Sequence, residues 1–135
     1  MTKVTLYTDG GARGNPGPAA IGVVVYDESG KILRKISRQL GLATNNQAEY
    51  QALIAGLEAA VALHATEVAC YLDSELVVKQ MQGKYKIREA GLQELAPLVF
   101  RLVKNFVRAE FIHVPREKNK LADELVNKAL DDAGF

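Results

Sequence analysis

Asp9, Glu49, Asp73 and Asp123 are the side chains of this sequence best placed to do chemistry together. Each falls where a predicted element begins or ends. Asp9 and Asp73 close strands, Glu49 opens a long helix and Asp123 opens the last one. Carboxylates crowded at one edge repel one another unless a cation sits among them. An oxygen-only donor set, with no Cys or His pair beside it, favours Mg²⁺ or Mn²⁺ over zinc. Two such ions about 3.5–4 Å apart form the clamp used for phosphodiester cleavage. Each acid also has a purely structural reading. Asn46-Gln47-Ala48-Glu49 has capping-box spacing with Glu49 at its third helical position, Asp73 suits a helix cap, and Asp123 beside Glu124 suits a helix dipole.

The elements that must position these acids follow from pattern. Val4 and Leu6 alternate with Thr5 and Tyr7, predicting a half-buried strand that ends at Asp9. Residues 10–18, dense in Gly and Pro, predict a loop, for which a plain Asp-led turn is the simplest alternative. Residues 19–26 are β-prone through Ile21, Val23, Val24, Val25 and Tyr26; Asp27-Glu28-Ser29-Gly30 predicts a turn, and residues 32–40 a third strand of an antiparallel meander. Thr44-Asn45-Asn46 supplies helix caps for residues 47–64, and Gly56 within that helix signals close packing on the sheet. Residues 67–72 predict a fourth strand, 74–82 a short helix, and 91–106 a helix with Pro97 near its first turn. Residues 108–114 predict the fifth strand, and a final helix runs to about Ala133. The order βββαβααβα, or βββαβαβα if the two middle helices merge, predicts an α/β fold with parallel additions to the meander and helices on the sheet faces.

Composition bounds the rest. At 135 residues and 48% hydrophobic, residues 1–135 suit one domain with its own core. No apolar run reaches about 18 residues, so no membrane span is expected, and the start of the chain shows no targeting pattern. Cys70 is the only cysteine, in Val68-Ala69-Cys70-Tyr71-Leu72, and is expected to be a small buried core residue; the lone thiol fits a cytoplasmic location. A net charge of +1, from 17 basic and 16 acidic residues, is too small to grip a polyanion by charge alone. A polyanion would have to be held locally, with metal ions supplying part of the positive charge.

The motifs themselves resemble a family. Tyr7-Thr8-Asp9-Gly10-Gly11 with Gly14-Asn15-Pro16-Gly17, Thr44-Asn45-Asn46-Gln47-Ala48-Glu49, Leu72-Asp73-Ser74 and Asn119-Lys120-Leu121-Ala122-Asp123 match, in order, those of ribonuclease H type 1. The resemblance covers essentially the whole chain. It implies the ribonuclease H fold, a five-stranded mixed sheet with strand two antiparallel to the others, flanked by helices. It implies endonucleolytic cutting of the RNA strand of RNA–DNA hybrids, leaving 5′-phosphate and 3′-hydroxyl ends. By the same resemblance Asp9, Glu49, Asp73 and Asp123 are ligands of two Mg²⁺ or Mn²⁺ ions, and Gly10, Gly11, Asn15, Thr44, Asn46 and Gln47 lie at positions that touch the hybrid.

Many family members carry a mobile histidine about ten residues before the last aspartate. His113 stands at that offset, but Phe111-Ile112-His113-Val114 predicts a strand end, and the short loop that follows exposes Arg116 instead. Arg116 is the preferred auxiliary group, neutralising developing phosphate charge, and His113 the alternative; an arginine is a poor proton shuttle because it stays protonated. His64 is expected only to complement a helix dipole. No room remains for the extra basic helix of longer relatives; Lys84, Lys86 and Arg88 substitute in part, so weaker, salt-sensitive hybrid binding is expected. A monomer with no membrane and no obligate protein partner is the expected assembly. The competing classes are a hybrid-binding or partner-binding module on the same fold, against which four intact acids argue, and a sister nuclease or integrase, disfavoured by the Asn15-Pro16-Gly17 and Thr44-Asn45-Asn46 matches.

Overall fold

A computed structural model describes residues 2–135. Three strands come first: β1 (Lys3–Ala12), β2 (Gly17–Tyr26) and β3 (Ile32–Ala43). They are followed by α1 (Asn45–Ala62), β4 (Glu67–Leu72), α2 (Glu75–Met81), α3 (Ala90–Val103), β5 (Arg108–His113), a 3₁₀ turn at Arg116–Lys118, and α4 (Lys120–Asp132). The sheet order is β3-β2-β1-β4-β5, with β2 antiparallel to its neighbours and the β1–β4 and β4–β5 pairs parallel. This is the mixed five-stranded sheet that the sequence implies.

Helices cover both faces. α1 lies on the face that carries Val4, Leu6, Ile21, Val23 and Val25, and α3 packs against its outer side. Sandwiched in this way, α1 is buried almost all round, from Ala52 through Leu57 without a break, so its sequence shows no amphipathic stripe. α4 crosses the opposite face, where Val126, Ala129 and Leu130 meet Ala20 of β2. β2 is buried on both sides, which its continuous apolar run requires. Cys70 is buried in the core with Val68 and Leu72, and its burial pushes the thiol up, away from reactivity.

Several boundaries differ from the sequence expectation. β1 does not end at Asp9: its ladder with β2 continues through Gly10↔Ile21 and Gly11↔Ala20 to Ala12↔Ala19. The expected loop over residues 10–18 therefore shrinks to residues 13–16. Glycine weakens a strand without forbidding it, and here the partner strand supplies the pairing. Pro97 lies well inside α3 rather than in its first turn. Pro97 and Gln93 are both exposed, so the hydrogen bond that the proline cannot make is lost on the side where water replaces it. Gly56 behaves as expected: a Cβ there would stand 3.1 Å from Leu6 Cδ1 and Thr8 Cγ2.

His64 is not in the last turn of α1. It follows the Leu63 cap with φ 60°, donating its N–H to the Val61 carbonyl while Ala65 donates to Ala60. This is the Schellman arrangement, whose left-handed position glycine fills at least cost. His64→Gly removes the Cβ clash and adds unfolded-state entropy, a balance of roughly 0.5–1.5 kcal/mol in favour of the variant. Thermal melting should show a rise of a few degrees; an unchanged or lower melting temperature would contradict this account of the helix end.

Candidate active site

The site forms where β1 and β4 part. Their parallel ladder stops at Thr8↔Leu72, one residue before both acids. Asp73 stands just past the end of β4 as expected, whereas Asp9, still paired with Gly22 of β2, stands inside β1 at the fork. A fork at the carboxyl ends of parallel strands is the usual place for a site in an open α/β sheet.

Two helices deliver the other acids, and both can do so only because a Cβ is missing beneath them. A Cβ on Gly10 would fall 2.2 Å from the Ala48 carbonyl group and 2.5 Å from Glu49 N. A Cβ on Gly22, the cross-strand partner of Asp9, would fall 2.0 Å from the Ala122 carbonyl oxygen. The starts of α1 and α4 thus rest on bare backbone on opposite faces of the sheet, beside Asp9. Gly22 was not singled out in the sequence, although an isolated glycine among β-branched residues is a signal of close approach.

Glu49 does not cap its helix. The capping box of α1 is Thr44 with Gln47: Gln47 N–H donates to the Thr44 hydroxyl at 3.1 Å, and Thr44 N–H to Gln47 Oε1 at 2.9 Å. The Asn46–Glu49 spacing loses to this earlier box, and Glu49 falls at the start of the second turn. There its Oε1 accepts the Gly10 N–H at 2.6 Å, while Oε2 is buried with no hydrogen-bond partner among the described residues. Asp73 is likewise free of capping, because the Ser74 hydroxyl caps α2 by accepting from Val77 N–H. Asp123 does lie in the first turn of α4.

Asp9, Glu49 and Asp73 bring carboxylate oxygens within 4.8 Å of one another. Asp123 lines the same cleft, where its charge acts on Asp9. Burial raises the Asp9 carboxyl from its ordinary 3.8 to about 7; the neighbouring Glu49 carboxyl opposes the rise, and the charges of Asp73 and Asp123 add to it. Burial also raises Glu49 well above its ordinary value, with the Asp9 charge next in weight. A half-satisfied, mutually repelling set of oxygens, those of Asp9 and Glu49 buried, fits a hard divalent cation, and the donor chemistry fits Mg²⁺ or Mn²⁺.

The four acids line a cleft of about 420 Å³ together with Gly10, Gly11, Asn46 and Arg116. Asn15 ties the loop to the helix instead: its Oδ1 accepts Asn45 N–H at 3.0 Å, and Asn45 Oδ1 accepts Ala12 N–H at 2.9 Å. Arg13 anchors the same loop to the far end of α4, 2.8 Å from Asp131, and donates to the Phe135 carbonyl. Asn46 donates to Glu89 at 2.9 Å, whereas Thr44 and Gln47 serve the helix start and stand outside the cleft lining. Arg116 faces the cleft; His113, opposite Leu72 at the end of β5, does not line it and stands near Glu75. Sequence reasoning placed Asn119 in a motif but gave it no task. It is almost fully buried and donates to both Thr8 O at 2.9 Å and Asp73 Oδ2 at 3.2 Å.

Comparison with known proteins agrees with the fold. The family model described as reverse transcriptase-like matches residues 7–129. A bifunctional protein of Mycobacterium tuberculosis is 46% identical over 132 residues, covering 97% of this chain and 36% of that protein; the chain thus spans about a third of that relative's length. RNase H1 of the halophilic archaeon Halobacterium salinarum superposes with a TM-score of 0.93 at 43% identity, covering 96% of this chain and 98% of that one. LC11-RNase H1, isolated from compost, superposes over the whole of both chains with a TM-score of 0.92 at 49% identity. Its structure in complex with an RNA/DNA hybrid covers 98% of this chain and 99% of that one, with a TM-score of 0.91 at 48% identity.

The sheet order and the structural matches place the chain in the ribonuclease H-like fold class. Within that class, this chain belongs to the type 1 ribonuclease H (ribonuclease HI) family.

Two outcomes test the geometry. Gly10→Ala should displace the start of α1 and cost more than about 2 kcal/mol of stability, because the clash is with backbone; a denaturation midpoint within error of wild type would contradict it. Since the folded Asp9 pKa lies above its unfolded value, the stabilisation by its proton is present below about pH 4 and is lost as pH rises through about 7. Metal-free protein should therefore lose stability over that window. Asp9→Asn should flatten the slope and gain roughly 1–3 kcal/mol at pH 7.5. Parallel pH–stability curves would refute the assignment.

Proposed function

We propose that this chain cleaves the RNA strand of RNA–DNA hybrids endonucleolytically, leaving 5′-phosphate and 3′-hydroxyl ends. The observation that carries the reading is the convergence of Asp9, Glu49, Asp73 and Asp123 from four elements on one cleft. The hybrid-bound structure of LC11-RNase H1, at 48% identity, supports the substrate class.

In this reading the four acids hold two Mg²⁺ or Mn²⁺ ions, with Asp9 at the centre. When bound, such ions supply a water of lowered pKa and neutralise charge on the leaving 3′ oxygen. The chain's own groups do the positioning. Gly10 and Gly11, without Cβ atoms, let the backbone approach the minor groove of the hybrid, and Glu49 reads the ribose 2′-hydroxyl, the group that separates RNA from DNA. Asn46 reaches the hybrid from the cleft wall, and Asn15, Thr44 and Gln47 complete the contact surface around the start of α1. Arg116, facing the cleft, neutralises developing phosphate charge and keeps its proton throughout. Lys84, Lys86 and Arg88, exposed between α2 and α3, contribute backbone contacts that salt screens. Residues 1–135 act as one monomeric domain in the cytoplasm; among the described residues no helix is long and apolar enough to cross a membrane.

A labelled RNA–DNA duplex incubated with Mg²⁺ and, in parallel, with Mn²⁺ should yield RNA fragments ending in 3′-hydroxyl groups. No cleavage by folded protein with either ion would remove the proposal. Asp9→Asn should abolish cutting and keep the fold. Arg116→Ala should lower kcat roughly 10- to 100-fold while His113→Ala stays within about twofold of wild type. The reverse order would transfer the auxiliary role to His113.

A further inference from the structure

The fork between β1 and β4 leaves one backbone carbonyl, Thr8 O, without a neighbouring strand beyond it, and Asn119 fills the gap. Its amide donates one N–H to Thr8 O at 2.9 Å and the other to Asp73 Oδ2 at 3.2 Å. The two acceptors fix which way the amide faces, because the flipped amide would set a carbonyl against both. The consequence is costly: Asn119 Oδ1 is buried and, among the described residues, has no partner. A buried acceptor left in this way costs about 1–3 kcal/mol, so something must require the amide. Helix capping does not require it, for although Asn119 is the residue before α4, its side chain makes no cap bond. Asn119 is also the hinge between the Arg116–Lys118 turn and the helix that carries Asp123, whose N–H donates to the Asn119 carbonyl at 3.1 Å.

We infer that Asn119 is a positioning residue of the catalytic centre: its amide locks the rotation of the Asp73 carboxylate and ties that carboxylate, the fork of β1 and the start of α4 into one unit. Asp73 sits at a strand tip with no other side-chain hydrogen bond among the described residues, so without Asn119 its carboxylate rotates freely. A ligand that must settle into one orientation on binding an ion binds it more weakly, which is how groups behind a metal ligand control affinity. The lock acts on ion binding and on the chemical step, and leaves the hybrid-contact surface unchanged.

This inference rests on the proposed metal-dependent cleavage, and its test keeps the two separable. Asn119→Ala and the near-isosteric Asn119→Leu are compared with wild type by circular dichroism, calorimetric titration of Mn²⁺ into the full chain, and steady-state hybrid cleavage. Expected are folded variants whose Mn²⁺ affinity and kcat each fall at least about tenfold, as losing a group behind a metal ligand does, with hybrid KM within about twofold. Wild-type Mn²⁺ affinity and kcat in a folded variant, with change confined to the metal-free melting temperature, would reduce Asn119 to a structural residue and overturn the inference. If Asn119→Ala does not fold, Asn119→Leu decides; failure of both to fold also assigns it to structure and overturns the inference. Absence of Mn²⁺ binding by wild type would instead remove the proposed function itself, and the inference with it.

Discussion

Carboxylates crowded in one cleft, two of them buried, repel one another, and this chain holds them together by anchoring each to backbone that cannot retreat. Asp9 is fixed by a strand paired on both sides up to the residue before it, and Asp73 by the end of the adjacent strand. Glu49 and Asp123 ride on helix starts that touch the sheet at the two positions, Gly10 and Gly22, where no side chain intervenes. Contact of that kind allows no slow drift apart, because relief would require moving a helix off the sheet. The repulsion is instead absorbed as raised proton affinity at Asp9 and Glu49, and a proton or a divalent cation relieves it. The geometry is preorganised for charge that arrives with the ligand.

The surroundings extend the same rigidity to the rim. The short loop after β1 is tied to α1 because Asn15 accepts the Asn45 N–H while Asn45 accepts the Ala12 N–H, and to α4 through Arg13. Beneath α1, Tyr50 donates to Gln80 of α2 at 2.7 Å, and the Gln80 amide reaches the Lys86 carbonyl at 3.4 Å. A chain of polar contacts, buried at Tyr50 and Gln80, thus connects the helix that carries Glu49 to the basic segment 84–88. Catalytic constellations gain from such support because small misplacements cost large factors in rate.

Much of this was legible in the sequence because it follows from local pattern. The β-branched run of β2, the Leu72-Asp73 strand end and the order of elements need only periodicity and breakers. Local pattern set the four acids near element ends but left each with a structural reading, and the resemblance to ribonuclease H type 1 joined them into one site. What the sequence hid depends on partners distant in the chain. Asp9 reads as a strand tip because Gly10 and Gly11 are poor strand residues, yet β2 pairs with both. Two overlapping capping boxes were possible at the start of α1, and only the fold shows that Thr44 and Gln47 form the real one, releasing Glu49. The importance of Gly22 and Asn119 depends on what packs over them, and no spacing rule encodes it.

The most direct measurement is a crystal structure of the chain with Mn²⁺ and a non-cleavable RNA–DNA hybrid, using anomalous scattering to locate the ions. The account predicts anomalous peaks among the carboxylates of Asp9, Glu49, Asp73 and Asp123, beside a phosphate of the RNA strand. A bound hybrid with no peak between those carboxylates, or with peaks only elsewhere, would contradict it.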